Sequence, residues 1–67
     1  MRTDDLVKMT SQELLARLQA AGMTVNAVAT ATGISQPQLA RVAAGTRQLR
    51  EDAYRKLLTF AVKRLTA

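Results

Sequence analysis

The 67-residue chain contains no cysteine, no histidine and no tryptophan. Without cysteine there is no disulfide, and without cysteine or histidine there is no thiolate or imidazole to hold a transition metal. A chain of this length buries only about 60% of its unfolded surface, which leaves it marginal alone. Small domains supplement a thin core with disulfides, a metal or a second subunit, and here only the second subunit remains. The absence of cysteine also fits a reducing compartment. No apolar run approaches the roughly 18 residues of a membrane span. The opening "MRTDDLVKMT" carries two acids where a signal peptide needs an apolar segment. These absences lead us to expect a soluble cytoplasmic protein folded as one domain over residues 1–67, with no membrane partner.

Acidic residues are also missing from a long internal stretch. The five carboxylates are Asp4, Asp5, Glu13, Glu51 and Asp52, while the net charge is +5. Between Leu14 and Arg50 there is no acid at all, yet Arg17, Arg41, Arg47 and Arg50 lie there. A section carrying only positive charge points to a polyanionic partner. The alternative is a solvated basic surface that maintains solubility. Catalysis is poorly provided for. There is no histidine or cysteine, the two serines stand at expected helix starts, and no spacing of carboxylates resembles a metal site or an acid–base pair. We therefore expect no enzyme, catalytic residue, cofactor, metal or small-molecule substrate.

What is present is helical throughout, with short joints and no internal repeat. "TSQE" forms a capping box, with Thr10 as N-cap and Glu13 reaching back. Met9 and Leu14 occupy the positions of a hydrophobic staple, and Leu14, Leu15, Leu18 and Ala21 form one apolar stripe ending at Gly22. A second helix runs from about Val25 to Thr32, capped by Thr24, with Val28 and Ala29 facing inward and Gly33 closing it. Ser35 caps a third helix, with Gln38 completing another capping box; Leu39, Val42 and Ala43 face inward and Gly45 stops it. A longer helix spans about Arg50 to Leu65, supported by Glu51–Arg55 and Asp52–Lys56 pairs at i,i+4. Thr3 can cap a short first helix, with Leu6 and Val7 packing down; a frayed tail is the alternative. The fold class is thus all-α, a compact bundle of four to five short helices.

The second and third helices are separated by only "GIS". A glycine at the αL position in so short a joint turns the chain steeply, as in a helix-turn-helix over about residues 25–44. Ala29 is small where the two helices meet, Ile34 plugs the core after the turn, and Leu39 and Val42 anchor the following helix. The stretch "NAVATATGISQPQLARVAAG", residues 26 to 45, resembles the helix-turn-helix of phage Cro and repressor proteins and their bacterial relatives. The motif covers about a third of the chain, and the resemblance extends to most of it as a small all-helical domain. It implies a dimeric, sequence-specific repressor of transcription acting on double-stranded DNA at a palindromic operator, in the cytoplasm and on the nucleoid of a bacterial or phage-infected cell. Two departures stand out. Val25 occupies the place where many members carry a phosphate-contacting glutamine, and there is no room for the separate oligomerisation domain of the repressors, which favours a regulator of Cro size.

The third helix has an undecorated outer face. With Leu39 turned to the core, Pro37, Arg41 and Ala44 fall within about 40° of the opposite direction and Ala40 beside them. Gln36 projects from the helix start. In a helix-turn-helix this end enters the major groove. Gln36 and Arg41 are the base-reading candidates, since glutamine pairs with an adenine edge and arginine with guanine O6 and N7. Pro37 and Ala40 have no donors and permit close approach or contact with thymine methyls. The alternatives are a phosphate contact for Arg41 and capping or simple exposure for Gln36. Backbone contacts are expected from Thr24 and Asn26 at the start of the second helix and from Ser35 and Gln38 on the flank. For Thr24 and Ser35, capping alone is the alternative. The resemblance places a second phosphate clamp at Thr46, Arg47 and Arg50.

On the last helix the apolar arc is about 200° wide, where one core contact needs only somewhat more than 100°. A homodimer contact through Leu58, Phe60, Val62 and Leu65 would cover the excess; so would the first helix and the N-terminal segment. Two further functional readings stay open. One is the DNA-binding antitoxin of a toxin–antitoxin pair. The other is a helical protein-interaction module that does not bind DNA.

Overall fold

The structure, a computed structural model, describes residues 2–66, so Met1 and Ala67 at the two ends of the expected domain lie outside it. Among the described residues there are five helices and no strand: α1 (Thr3–Leu6), α2 (Ser11–Ala20), α3 (Val25–Thr32), α4 (Gln36–Ala43) and α5 (Glu51–Thr66). The all-α expectation holds. Each helix boundary is traceable to local chemistry. At α2 both halves of the capping box form: the Glu13 N–H donates to Thr10 Oγ1 at 3.2 Å, and the Thr10 N–H to Glu13 Oε1 at 3.1 Å. Gly22 then takes a φ of 97°, and the Met23 N–H returns to the Leu18 carbonyl at 3.1 Å. That return bond satisfies a carbonyl that the helix end would otherwise orphan.

The α3–α4 joint follows the same logic. Thr24 Oγ1 accepts from the Ala27 N–H at 3.0 Å, and Gly33 closes α3 in the left-handed region at φ 77°. Ser35 Oγ accepts from the Gln38 N–H at 3.3 Å. The reciprocal half of the expected box, from Gln38 back to Ser35, is not made among the described residues. Pro37 sits in the first turn of α4, where its missing N–H removes no intrahelical bond. At the other end the Gly45 N–H reaches Val42 and the Thr46 N–H reaches Arg41, both at 3.0 Å.

These caps fix the directions in which the apolar stripes point. Leu6, Leu14, Leu15, Leu18, Val28, Leu39, Val42, Leu57 and Ala61 are fully buried, with Ala29 and Ile34 nearly so. Complete burial of one leucine or valine side chain contributes about 1.5–3 kcal/mol. α2 lies at the centre, packed against α5 and α4; α3 packs on α4, and α1 on α5. Ile34 closes the core just after the turn, as its position predicts.

Three expectations are corrected. Thr3 is the first residue of α1 rather than its cap; Arg2 holds the cap position and offers no side-chain bond. Val7 does not pack down: it is 49% exposed, because α1 ends at Leu6 and only Leu6 is carried into the core. The Asp52–Lys56 pair does not close, and among the described residues Glu51–Arg55, at 2.7 Å, is the one ion pair. Among the described residues no helix is long and apolar enough to cross a membrane.

Candidate nucleic-acid interface

The N-terminal ends of the helices fall into two electrostatic groups. α1 begins with Asp4 and Asp5, α2 with Glu13, α5 with Glu51 and Asp52. Neither α3 nor α4 has any acid in its first turn. A helix N-terminus carries a partial positive charge and unsatisfied N–H groups, which an acid in the first turn neutralises locally. The two helices flanking Gly33 keep that charge available to an external anion.

The side chains around these two ends are exposed. Thr24 and Asn26 stand at the start of α3; Ser35, Gln36 and Pro37 at the start of α4; Ala40, Arg41 and Ala44 along its outer face. Gln38 is partly buried on the flank. The outer face of α4 is therefore low, with Arg41 as its one long charged side chain. Thr24 and Ser35 use their hydroxyl oxygens as cap acceptors and keep their hydroxyl protons for another partner.

The loop after α4 is held from both sides. Leu49 is partly buried against the core, while Arg47 and Arg50 beside it are exposed. The Arg50 carbonyl accepts from the Tyr54 N–H at 2.8 Å, so Arg50 occupies the cap position of α5 rather than its first turn. Thr46 is spent differently from Arg47. Its N–H and its hydroxyl both donate to the Arg41 carbonyl, at 3.0 and 3.2 Å. With both donors engaged, Thr46 fastens the loop to α4 and has no donor left for a phosphate in this arrangement.

One cleft collects much of the expected set. Gly33, Ile34, Ser35, Gln38, Arg47 and Arg50 line it, together with Asp52, Ala53 and Lys56. Sequence reasoning missed Lys56 because it assigned that side chain to Asp52. Its position one turn into α5 gave no signal of proximity to Ser35. Thr24, Asn26, Gln36 and Arg41 lie outside this cleft. Among the described residues there is no group of acids able to hold a metal ion.

The four apolar candidates on α5 do not share one surface. All are partly buried against the core. Phe60 lies in a groove with Ala31 and Thr32 of α3, while Val62, two residues on, is rotated about 200° from it. α1 covers part of the wide arc by packing its Leu6 onto α5.

Residues 12–61 match the family model described as a helix-turn-helix domain. The chain belongs to this DNA-binding family. The matched span runs from the first turn of α2 to the buried Ala61 of α5, so it covers the helix-turn-helix pair and the helices that support it. No curated protein and no solved structure matches the chain significantly.

Proposed function

We propose that this helix-turn-helix protein is a sequence-specific transcriptional repressor of the Cro type, binding a two-fold operator as a homodimer. The observation that carries the reading is the pairing of two acid-free helix N-termini, at α3 and α4, with an exposed outer face on α4. Phosphates of one strand meet the start of α3, where Thr24 and Asn26 offer side chains beside free N–H groups. α4 enters the major groove with its N-terminal half foremost. Gln36 then reads an adenine edge and Arg41 a guanine, while Pro37 and Ala40 allow the backbone to come close and touch thymine methyls.

The second clamp is formed by Arg47 and Arg50, with Ser35, Gln38 and Lys56 lining the same cleft. These contacts position the protein, and base contacts specify the site. Dimerisation is assigned to Leu58, Val62 and Leu65, which are each partly buried and fall within about 60° of one another around α5. Phe60 faces a different groove and is left out of that contact. A two-fold operator requires the dimer to hold its two α4 helices about 34 Å apart, one turn of DNA. Repression follows from occupancy, by excluding polymerase or a competing regulator.

Selection of bound duplexes from a random pool tests the whole reading at once. The expected result is a two-fold site whose half-sites are centred about one helical turn apart. Recovery of unrelated sequences, or of a single unrepeated half-site, overturns it.

A further inference from the structure

Two basic clefts meet at one lysine. The first holds Ser35, Gln38, Arg47, Arg50 and Lys56 beside the start of α4, with Asp52 as its one acid. The second is lined by Ala31 and Thr32 from the end of α3 and by Arg55, Lys56, Thr59, Phe60 and Lys63 from α5. No acid lines the second cleft. Arg55 is already engaged with Glu51 at 2.7 Å, but Lys56 and Lys63 have no ion-pair partner among the described residues. Seven residues apart on a helix, they project on nearly the same side, separated by about 10 Å along the axis. Thr59 stands between them and is exposed, as both lysines are.

We infer that the DNA backbone continues past the helix-turn-helix along this face of α5, with Lys56, Thr59 and Lys63 contacting phosphates outside the bases that α4 reads. The inference rests on the DNA-binding reading above and extends it: the protein binds flanking duplex as well as its operator. Continuity decides between DNA and an acidic protein as the occupant. Lys56 belongs to both clefts, so a polyanion seated against Arg47 and Arg50 passes one acid, Asp52 of the first cleft, and from Lys56 to Lys63 meets no acid lining the second. The groove floor is partly buried Phe60 and the small Ala31, so the lysine stems lie over an apolar surface while their ammonium groups stay in water.

The test compares two duplexes carrying the selected operator, one trimmed to the site and one extended by about 10 base pairs on each side, roughly one further helical turn. Affinity is measured over a salt series for the wild type, Lys63→Ala and Lys63→Arg. The expected result is a steeper salt dependence for the wild type on the longer duplex. Lys63→Ala lowers that slope by about one for each phosphate it no longer neutralises and leaves the short duplex unchanged. Lys63→Arg keeps the charge and restores the slope. Equal slopes on the two duplexes for the wild type overturn the inference, and so does a Lys63→Ala slope indistinguishable from wild type on the longer one. If Lys63→Ala instead weakens binding to poly-glutamate and leaves both duplexes unaffected, the groove belongs to an acidic protein. The short duplex keeps the two readings apart. Sequence-specific binding there with no flanking effect removes only the α5 track, whereas no specific binding there removes the repressor reading itself.

Discussion

The Tyr54 hydroxyl donates to the Met9 carbonyl at 2.7 Å and joins α5 to the joint between α1 and α2 across 45 residues of sequence. The ring packs against the core while its polar end satisfies a backbone acceptor that α2 cannot reach, because Met9 precedes the cap. Tyr54→Phe keeps the ring and removes the bond. It is expected to cost about 1 kcal/mol, the net worth of one such hydrogen bond. Urea unfolding measures it. DNA affinity at constant temperature should not change, since Tyr54 is no part of α4's outer face.

That bond also marks where sequence reasoning stopped. Thr10 with Glu13, Thr24, Ser35 and Gly33 were legible because a cap or a left-handed turn involves residues within four positions of one another. Their chemistry is complete in the local sequence. Tyr54–Met9 and Gln12–Ala43 join segments 45 and 31 residues apart, and nothing local announces them. Val7 was misplaced because α1 is four residues long, too short for a helical period to separate its inner and outer faces. Lys56 was misassigned because a favourable i,i+4 partner was available in Asp52, and such surface pairs are worth too little to guarantee that they form. The separation of Phe60 from Val62 was readable from the helical angle alone; what α3 and α1 place over each flank was not.

Gly33 and Gly45 make a matched pair for testing the turns. Both adopt left-handed φ, at 77° and 80°. A Cβ at Gly33 meets nothing within 4 Å, so Gly33→Ala is expected to cost only the backbone penalty of that conformation, roughly 1–2 kcal/mol. At Gly45 a Cβ would lie 3.2 Å from Gln12 Nε2. That amide donates to the Ala43 carbonyl at 3.3 Å, and moving it breaks the tie between α2 and α4. Gly45→Ala should therefore cost about 0.5 kcal/mol more than Gly33→Ala, the low end for one exposed hydrogen bond. Introducing Gln12→Ala first should abolish the difference. Thermal or urea denaturation of the two glycine variants in both backgrounds decides it, and an equal cost in both backgrounds would show that Gln12 moves freely.

Arg41 and Arg47 test the proposed division between reading and holding. Both are exposed, but Arg41 stands on the outer face of α4 and Arg47 in the cleft beside Ser35 and Gln38. Arg41→Ala is expected to cost about 1–3 kcal/mol on the operator and to relax preference at one base position, with little effect on random DNA. Arg47→Ala should weaken operator and random DNA alike and lower the salt slope by about one. Thr46→Val should leave the salt slope intact, since both Thr46 donors are already engaged with Arg41. Equal weakening of operator and random DNA by Arg41→Ala would make Arg41 a phosphate ligand and leave Gln36 as the main reader.

The proposed dimer contact makes opposite predictions for two residues that a reading of apolar side chains alone would treat alike. Val62 lies on the flank assigned to the partner; Phe60 lies in the basic groove beside Ala31 and Thr32. Placing a carboxylate at Val62 would bury an unpaired charge between the two copies, which strongly disfavours their association. Val62→Glu should therefore sediment as a monomer at micromolar concentration and lose the cooperative occupancy of two half-sites, while circular dichroism confirms that its helices remain. Phe60→Ala removes apolar surface from the other flank and should remain a dimer, even if its unfolding midpoint falls. Since two-fold reading requires two copies in a fixed geometry, operator affinity should track the Val62 variant and not the Phe60 variant. A wild-type protein that sediments as a monomer at micromolar concentration, with and without DNA, removes the dimer and with it the two-fold operator.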